Sequence, residues 1–477
     1  MIRGLSLCRV AAVLFLCFAH VGCPATESPV EKALRYLRCR QLERDIRTCA
    51  WRDMAGDWPQ YFYALDLPGL RIREVSPFIP AFIHHSLTHV VESNREALGL
   101  TPDDIEAARS MRKRAVALVR RFESAPTAPD AGAFGFWPHR AATARNGLLA
   151  DLALEWIEGP RLYGSCFPMN VPFYPVELGV PNECDSTAAA YVVMANDALC
   201  DGGPGAPRPV ELLFAEWRDV GQIPRRLNPD WLPYASGAFL TWFNYHDPPI
   251  PNDIDVAVNA NVLHCLARYG RLDTPGAAEA IDLINRVVLE GLHRTRQQEV
   301  SPYTQAGYVF HFIVTRAYAD GPVPGLQPAA EILADEVERE AIALSENKVC
   351  WDRGARHLDT ALCLLTLLQA RRYDAAGDAG LLSKAVAYLV EEQDPLLGCW
   401  NDGAVFVARS ESGKQFNWVS SSFTTAIALE ALCHYLLSFD QEVPMESSRS
   451  LRRDGRAGQA LGTWPREYSG NSGCYPL

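Results

Sequence analysis

Two kinds of helical pattern alternate along this chain, separated by loops rich in Pro and Gly. One kind is charged and amphipathic: Glu31 to Gln41, Pro102 to Phe122, Gly276 to Leu292, Ala329 to Leu344, and Leu381 to Glu392. A helix with one polar face lies on a surface. The other kind is apolar almost all round: Ser76 to Val91, Asp185 to Leu199, Asp255 to Tyr269, Pro302 to Tyr318, Asp359 to Ala370, and Ser422 to Leu437. A helix apolar on every side must be covered on every side. The alternation predicts an all-α fold, a single α/α toroid: a double ring of about six helix pairs with the apolar set inside. Leu148 to Trp156 and Val210 to Trp217 compete as outer partner of the second buried helix. Strand signals are weak throughout.

Internal repeats support the ring. Lys32-Ala33-x-x-Tyr36-Leu37-x-x-x-Gln41 returns as Lys384-Ala385-x-x-Tyr388-Leu389-x-x-x-Gln393, and the second copy continues to Gly398-x-Trp400. A degenerate copy, Arg114-Ala115-x-x-Leu118-Val119, ends distantly in Gly135-x-Trp137. The buried helices share an entrance: Asp185-Ser186-Thr187-Ala188, Asp255-Val256-Ala257-Val258, Asp359-Thr360-Ala361 and Thr424-Thr425-Ala426.

The segment from Lys384 to Trp400 resembles the Gln-Trp repeat of squalene and terpenoid cyclases. The Asp-x-Thr-Ala entrances are similar to those of the same α/α-toroid superfamily, which also holds the protein prenyltransferase β subunits. The resemblance runs from about Val30 to Leu437 and implies the toroid strongly. It implies an activity weakly, because one fold hosts many functions.

Candidate chemistry gathers at the helix entrances. Glu183-Cys184-Asp185-Ser186-Thr187-Ala188 is similar to the Asp-x-Asp-Asp-Thr-Ala motif with which squalene-type cyclases protonate an alkene or epoxide, with Glu183 for its first acid and Ser186 for its last. The resemblance implies Asp185 as proton donor and Glu183 as its acidic partner. The residues alone allow a second reading, in which Asp185 is an N-cap like the Asp at the other entrances. A capping carboxylate accepts backbone N–H bonds at the positive end of the helix dipole, and both lower its pKa. Asp255 is the expected cap of the next entrance, and Asp253 two residues earlier shares its opening. The two suit a bound cation or a general acid and base. Asn259 and Asn261 follow on an apolar helix and need hydrogen-bond partners. Asp359, beside His357, is the third acidic entrance.

Aromatic residues crowd the loops before these helices. Trp242, Tyr245 and His246 precede Asp253, Tyr303 opens its helix, Trp351 precedes Asp359, and Trp400 and Trp418 precede Ser422. With parallel inner helices these loops meet at one mouth, forming the expected substrate-binding set. Aromatic walls with carboxylates suit a carbocation, by cation–π attraction. They suit a sugar ring equally, by stacking.

Composition narrows the classes. The 477 residues are 48% hydrophobic and 21% charged, ordinary globular values, and the net charge of -12 argues against nucleic acid. Arg3 and Arg9 flank a short apolar stretch, Val10 to Ala19, so residues 1–22 read as an export signal. Val21-Gly22-Cys23 resembles a bacterial lipoprotein signal, with His20 at a position usually aliphatic. Cys23 is then either lipidated or the first residue after simple cleavage. The expected location is the bacterial cell envelope, facing the periplasm and anchored if Cys23 carries lipid. Residues 28–440 form the expected toroid and residues 441–477 a loop-like tail. Of 14 cysteines, Cys39 with Cys49 and Cys166 with Cys184 are sequence-close bridge candidates. Cys-x-x-Cys, His-Glu-x-x-His and Gly-rich phosphate loops are missing, so no metal and no other cofactor is expected. Three functions fit: a terpenoid-cyclase-like isomerase or lyase, a glycan-active hydrolase or lyase, and a non-catalytic binding or scaffold protein. The first two take a lipid-like or glycan small molecule.

Overall fold

The computed structural model describes residues 27–47, 52–66, 71–93, 97–136, 165–166, 179–201, 207–243, 251–371, 379–409 and 415–440. Residues 1–437 form one compact unit and residues 438–477 a second. The candidate site lies in the first.

Among the described residues, long helices alternate between two layers. The outer helices are α1 (Pro29–Arg40), α3 (Pro102–Val119), α5 (Val210–Glu216), α7 (Ala277–Leu289), α9 (Gln327–Arg339) and α11 (Ala379–Glu392). The inner helices are α2 (Phe78–Glu92), α4 (Cys184–Asp201), α6 (Val256–Arg268), α8 (Val309–Ala319), α10 (Arg356–Gln369) and α12 (Ser421–Asp440). Local chemistry sets the outer starts. Ser28 and Thr101 close capping boxes with Glu31 and Asp104, and a Pro follows each cap. Each inner helix is buried on most sides; in α6, residues Val256 to Leu266 are all buried.

Contacts run round the inner ring from α2 to α4, α6, α8 and α10 in turn. α12 meets α2 through Ser86 Oγ, which donates to Glu430 Oε2 at 2.6 Å. The outer layer also closes. Gln393, just beyond α11, donates to the carbonyl of Pro29 at the head of α1, at 2.9 Å. At Gly398 the backbone is left-handed, and a Cβ there would lie 2.5 Å from the Lys32 carbonyl oxygen. Only glycine fits that closure. The architecture is the α/α toroid that the repeats imply, and α5 is its short outer member. Leu148 to Trp156 lies outside the described residues. Among the described residues no helix is long and apolar enough to cross a membrane.

Three expectations are corrected. The helix expected from Pro302 begins at Val309, because Tyr303 to Gly307 form a loop whose Tyr303 carbonyl accepts Val407 N–H at 3.1 Å. α10 begins at Arg356, which puts Asp359 inside its first turn instead of at its cap. A four-stranded antiparallel sheet also exists, against the weak strand signal. β1 (Gln60–Ala64) lies between β2 (Ile72–Glu74) and β4 (Gln415–Val419), and β3 (Ala404–Arg409) completes the order β2-β1-β4-β3. It joins segments from the two ends of the chain, a pairing that no local pattern announces. Cys39 and Cys184 carry free thiols, so neither expected bridge forms at them. Cys184 is buried in the first turn of α4.

Candidate functional site

Backbone bonds draw the acidic entrances together. Cys184 N–H donates to the Thr241 carbonyl and Thr241 N–H to the Asp253 carbonyl, each at 2.9 Å, and Glu183 bridges to Trp242. Trp242 meets Tyr303 edge-on, with ring centroids 5.6 Å apart. Thus Glu183, Asp185, Asp253, Asp255, Trp242 and Tyr303 do share one region. Tyr245 and His246 lie outside the described residues.

The carboxylates divide into saturated and available groups. Asp255 caps α6 as expected, accepting the N–H groups of Ala257 and Val258. It also accepts Ser301 Oγ at 2.9 Å and Tyr303 N–H at 3.3 Å. Burial nevertheless lifts its pKa to about 6. Asp253 is held by Tyr303 Oη at 2.8 Å and by the Arg226 guanidinium at 2.8 Å. A carboxylate whose lone pairs are engaged by a guanidinium and a phenol is poorly placed to transfer a proton.

Asp185 is different, and the capping reading fails for it. The backbone N–H of Ser186 binds Glu183, and Ser186 Oγ donates to Glu183 as well. The capping role therefore falls two residues upstream of Asp185. Asp185 Oδ1 accepts from Asn261 Nδ2 at 2.6 Å. Its Oδ2 accepts no hydrogen bond among the described residues. Burial pushes the Asp185 pKa well above the ordinary carboxylate value, and the nearby Glu183 charge adds to the shift. Burial lifts Glu183 itself to about 7. The lowered pKa expected of a capping Asp185 is thus reversed, because desolvation and like charge outweigh its single hydrogen bond.

A polar line continues into the ring. Asn261 Oδ1 accepts from Arg316 Nη2 at 2.8 Å, and Arg316 is 3% exposed. Its guanidinium lies 4.1 Å from the Phe82 ring centroid and 5.6 Å from that of Phe312. Phe423 packs beside Phe82, and Phe406 against Phe78. Burial lowers the Arg316 pKa to about 10, where it remains a cation at neutral pH.

Two expected aromatic contacts need correction. Trp351 and Trp400 are buried, and their indole N–H groups donate to the carbonyls of Val337 and Leu389, on α9 and α11, at 2.7 and 2.8 Å. They pin outer helices and do not line a substrate wall. Trp58 does the same to Leu37 of α1 at 2.8 Å. Trp418 lies on β4 and stacks on Phe62 of β1 at 5.6 Å.

Asp359 lies elsewhere in the ring. Its Oδ2 accepts the N–H groups of Arg353 and Ala355, while the buried Oδ1 has no partner among the described residues. Burial lifts its pKa to about 6. Gly307 lies against it; a Cβ at that residue would sit 2.0 Å from Oδ1. Gly307 and Arg353 also line a cleft of about 280 Å³, together with Gln297, Gln305, Gln415 and Asn417.

The sequence pattern did not single out His85, His89, His264, His293, His311 and His434. His85, His89 and His264, with Asp320, Glu430 and His434, converge in the C-terminal halves of α2, α6 and α12 and just beyond α8. His293, His311 and Glu336 form a separate buried group. Either set has the ligand types to hold a metal. The available signal was two pairs at four-residue spacing on apolar helices, His85 with His89 and Glu430 with His434.

No protein-family model matches the chain, and no curated protein matches it. Among solved structures the chain is similar to the type II terpene cyclase MstE from Scytonema, at 14% identity and a TM-score of 0.48, over 85% of this chain and 96% of that one. It is also similar to ent-copalyl diphosphate synthase from Streptomyces platensis, at 14% identity and a TM-score of 0.43, over 75% of this chain and 50% of that one. An unsaturated glucuronyl hydrolase specific for heparin is a third neighbour, at 10% identity and a TM-score of 0.46, over 87% and 97%.

Proposed function

We propose that this chain is an enzyme that begins its reaction by protonating an apolar, alkene-bearing substrate, with Asp185 as the acid. One observation carries the reading. Asp185 is a buried carboxyl with one oxygen fixed by Asn261 and the other free of hydrogen bonds among the described residues. Desolvation and Glu183 favour its protonated form. A carboxyl whose protonated form is favoured in this way can serve as a general acid.

The step balances simply. The Asp185 proton adds to an alkene carbon, the π electrons form the new C–H bond, and a carbocation remains. Loss of a proton from a neighbouring carbon to water restores an alkene and gives a double-bond isomer; attack on the cation by a second alkene of the same substrate, forming a carbon–carbon bond before that proton is lost, gives a ring. In this reading Glu183, also protonated over part of the neutral range, returns a proton to Asp185. Phe82, Phe312 and Phe423 supply aromatic faces of the kind that stabilise a cation. Arg316 keeps Asn261 in the orientation that leaves its amide N–H toward Asp185.

The test is turnover of linear isoprenoid alkenes and epoxides by parent and Asp185→Asn chains. Asn is nearly isosteric but delivers no proton. Turnover should fall by about 10²-fold or more, while the melting temperature holds. Equal turnover by the Asn variant sinks the assignment.

A second reading is favoured by the cleft beside Gly307. Its side-chain amides and Arg353 suit sugar hydroxyls, and Asp359 lies next to it with an oxygen that has no partner among the described residues. A glycan-active enzyme would lose activity on Asp359→Asn and keep it on Asp185→Asn. Export of the chain is proposed on the sequence of residues 1–22 alone, which lie outside the described residues.

A further inference from the structure

We propose that the histidine-rich cluster inside the ring binds a divalent transition-metal ion of the zinc class, with His85, His89 and Asp320 as ligands and the fourth position turned toward Glu430. The site is distinct from the acid at Asp185, and the proposal does not depend on that assignment.

The geometry points there in three ways. First, the spacing fits a coordination sphere. Zinc bonds to nitrogen and oxygen of roughly 2.0–2.1 Å at a tetrahedral angle place ligand atoms about 3.3 Å apart. His85 Nε2 lies 3.3 Å from His89 Nε2 and 3.5 Å from Asp320 Oδ2. Two neutral imidazoles facing each other through Nε2 can satisfy only one hydrogen bond, whereas both lone pairs can meet one cation. Second, an unused acceptor faces the same space. Glu430 Oε1 is buried, has no hydrogen-bond partner among the described residues, and lies 3.9 Å from His89 Nε2. With His434 it makes a second group of three around His89.

Third, the surrounding groups hold these ligands in place. His264 Nε2 lies 2.7 Å from Asp320 Oδ2, and Ser86 Oγ donates to the other oxygen of Glu430. Carboxylates and imidazoles that bind metals are commonly fixed by such outer partners. His85 and His89 stand four residues apart on one face of α2, as Glu430 and His434 do on α12. The cluster is also reachable. The side chains of His89 and Asp320 are 19% and 20% exposed, while His85 and Glu430 are enclosed.

The experiment is a metal titration of the purified chain after chelator treatment. Zn²⁺ is followed by calorimetry and Co²⁺ by its visible absorption. The parent should bind about one ion per chain at micromolar or lower concentration, with the intense Co²⁺ bands of a four-coordinate nitrogen and oxygen site. His89→Ala and Asp320→Asn should each weaken binding by about 10²-fold and remove those bands. His293→Ala, in the separate buried group, should bind like the parent. A parent that takes up no Zn²⁺ overturns the proposal. So does binding that survives both His89→Ala and Asp320→Asn, or that is lost with His293→Ala alone. If His89→Ala does not fold, the parent's Co²⁺ spectrum and Asp320→Asn decide, and a six-coordinate spectrum counts against the site.

Discussion

Asp185 and Asn261 meet between neighbouring inner helices, from the first turn of α4 to the second turn of α6, with Nδ2 donating to Oδ1 at 2.6 Å. Asn261 therefore spends its two ends on two ionisable groups: its amide N–H on the Asp185 carboxyl and its oxygen on Arg316. Replacing Asn261 with Leu strips both partners at once. The expected loss is about 1–3 kcal/mol, the cost of leaving buried polar groups unpaired. Urea unfolding of Asn261→Leu, Asp185→Ala and the double variant should show less than additive losses, since both changes break the same bond.

Glu183 gives a pH dependence of known sign. Its folded pKa, about 7, lies above the ordinary carboxylate value of 4.5, so the folded state holds a proton that the unfolded state has released between those values. Stability contributed by this group is present at low pH and is lost as pH rises through about 7. Glu183→Gln stays neutral throughout. The melting temperature of the Gln variant relative to the parent should climb between about pH 5 and 7 and level off above. A constant difference across that range would show that Glu183 does not titrate there.

Trp400 should matter for stability and not for chemistry. Trp400→Phe removes the indole N–H that binds the Leu389 carbonyl and leaves that buried acceptor unpaired. A loss of about 1–3 kcal/mol is expected in denaturant melts, with turnover per folded molecule unchanged. A selective loss of turnover would return Trp400 to the substrate wall where the sequence reading had it.

Export is tested at Cys23. If this residue is lipidated, Cys23→Ser should move the chain from the membrane fraction to the soluble fraction of the producing cell. Equal membrane association of both forms would remove the lipid anchor while leaving export open to a signal-cleavage assay.

The pattern of the chain was enough to determine the double ring. Helix periodicity and the Lys384 to Trp400 repeat are local signals, readable along short stretches of chain. They also placed Glu183, Asp185, Asp253 and Asp255 at converging helix starts. Tertiary structure alone decided what each acid became. Asp255 is saturated by Ser301 and Tyr303 from a distant loop, Asp253 is paired with Arg226, and Asp185 keeps one oxygen free of hydrogen bonds among the described residues. The role of Trp351 and Trp400 turned on which carbonyl lay within reach of the indole. The sheet joining β1 to β4 and the cluster of His85, His89, Asp320 and Glu430 were not legible for the same reason. Their members come from elements far apart in sequence, and a side chain's partners and desolvation are set by what the fold brings beside it, not by its neighbours along the chain.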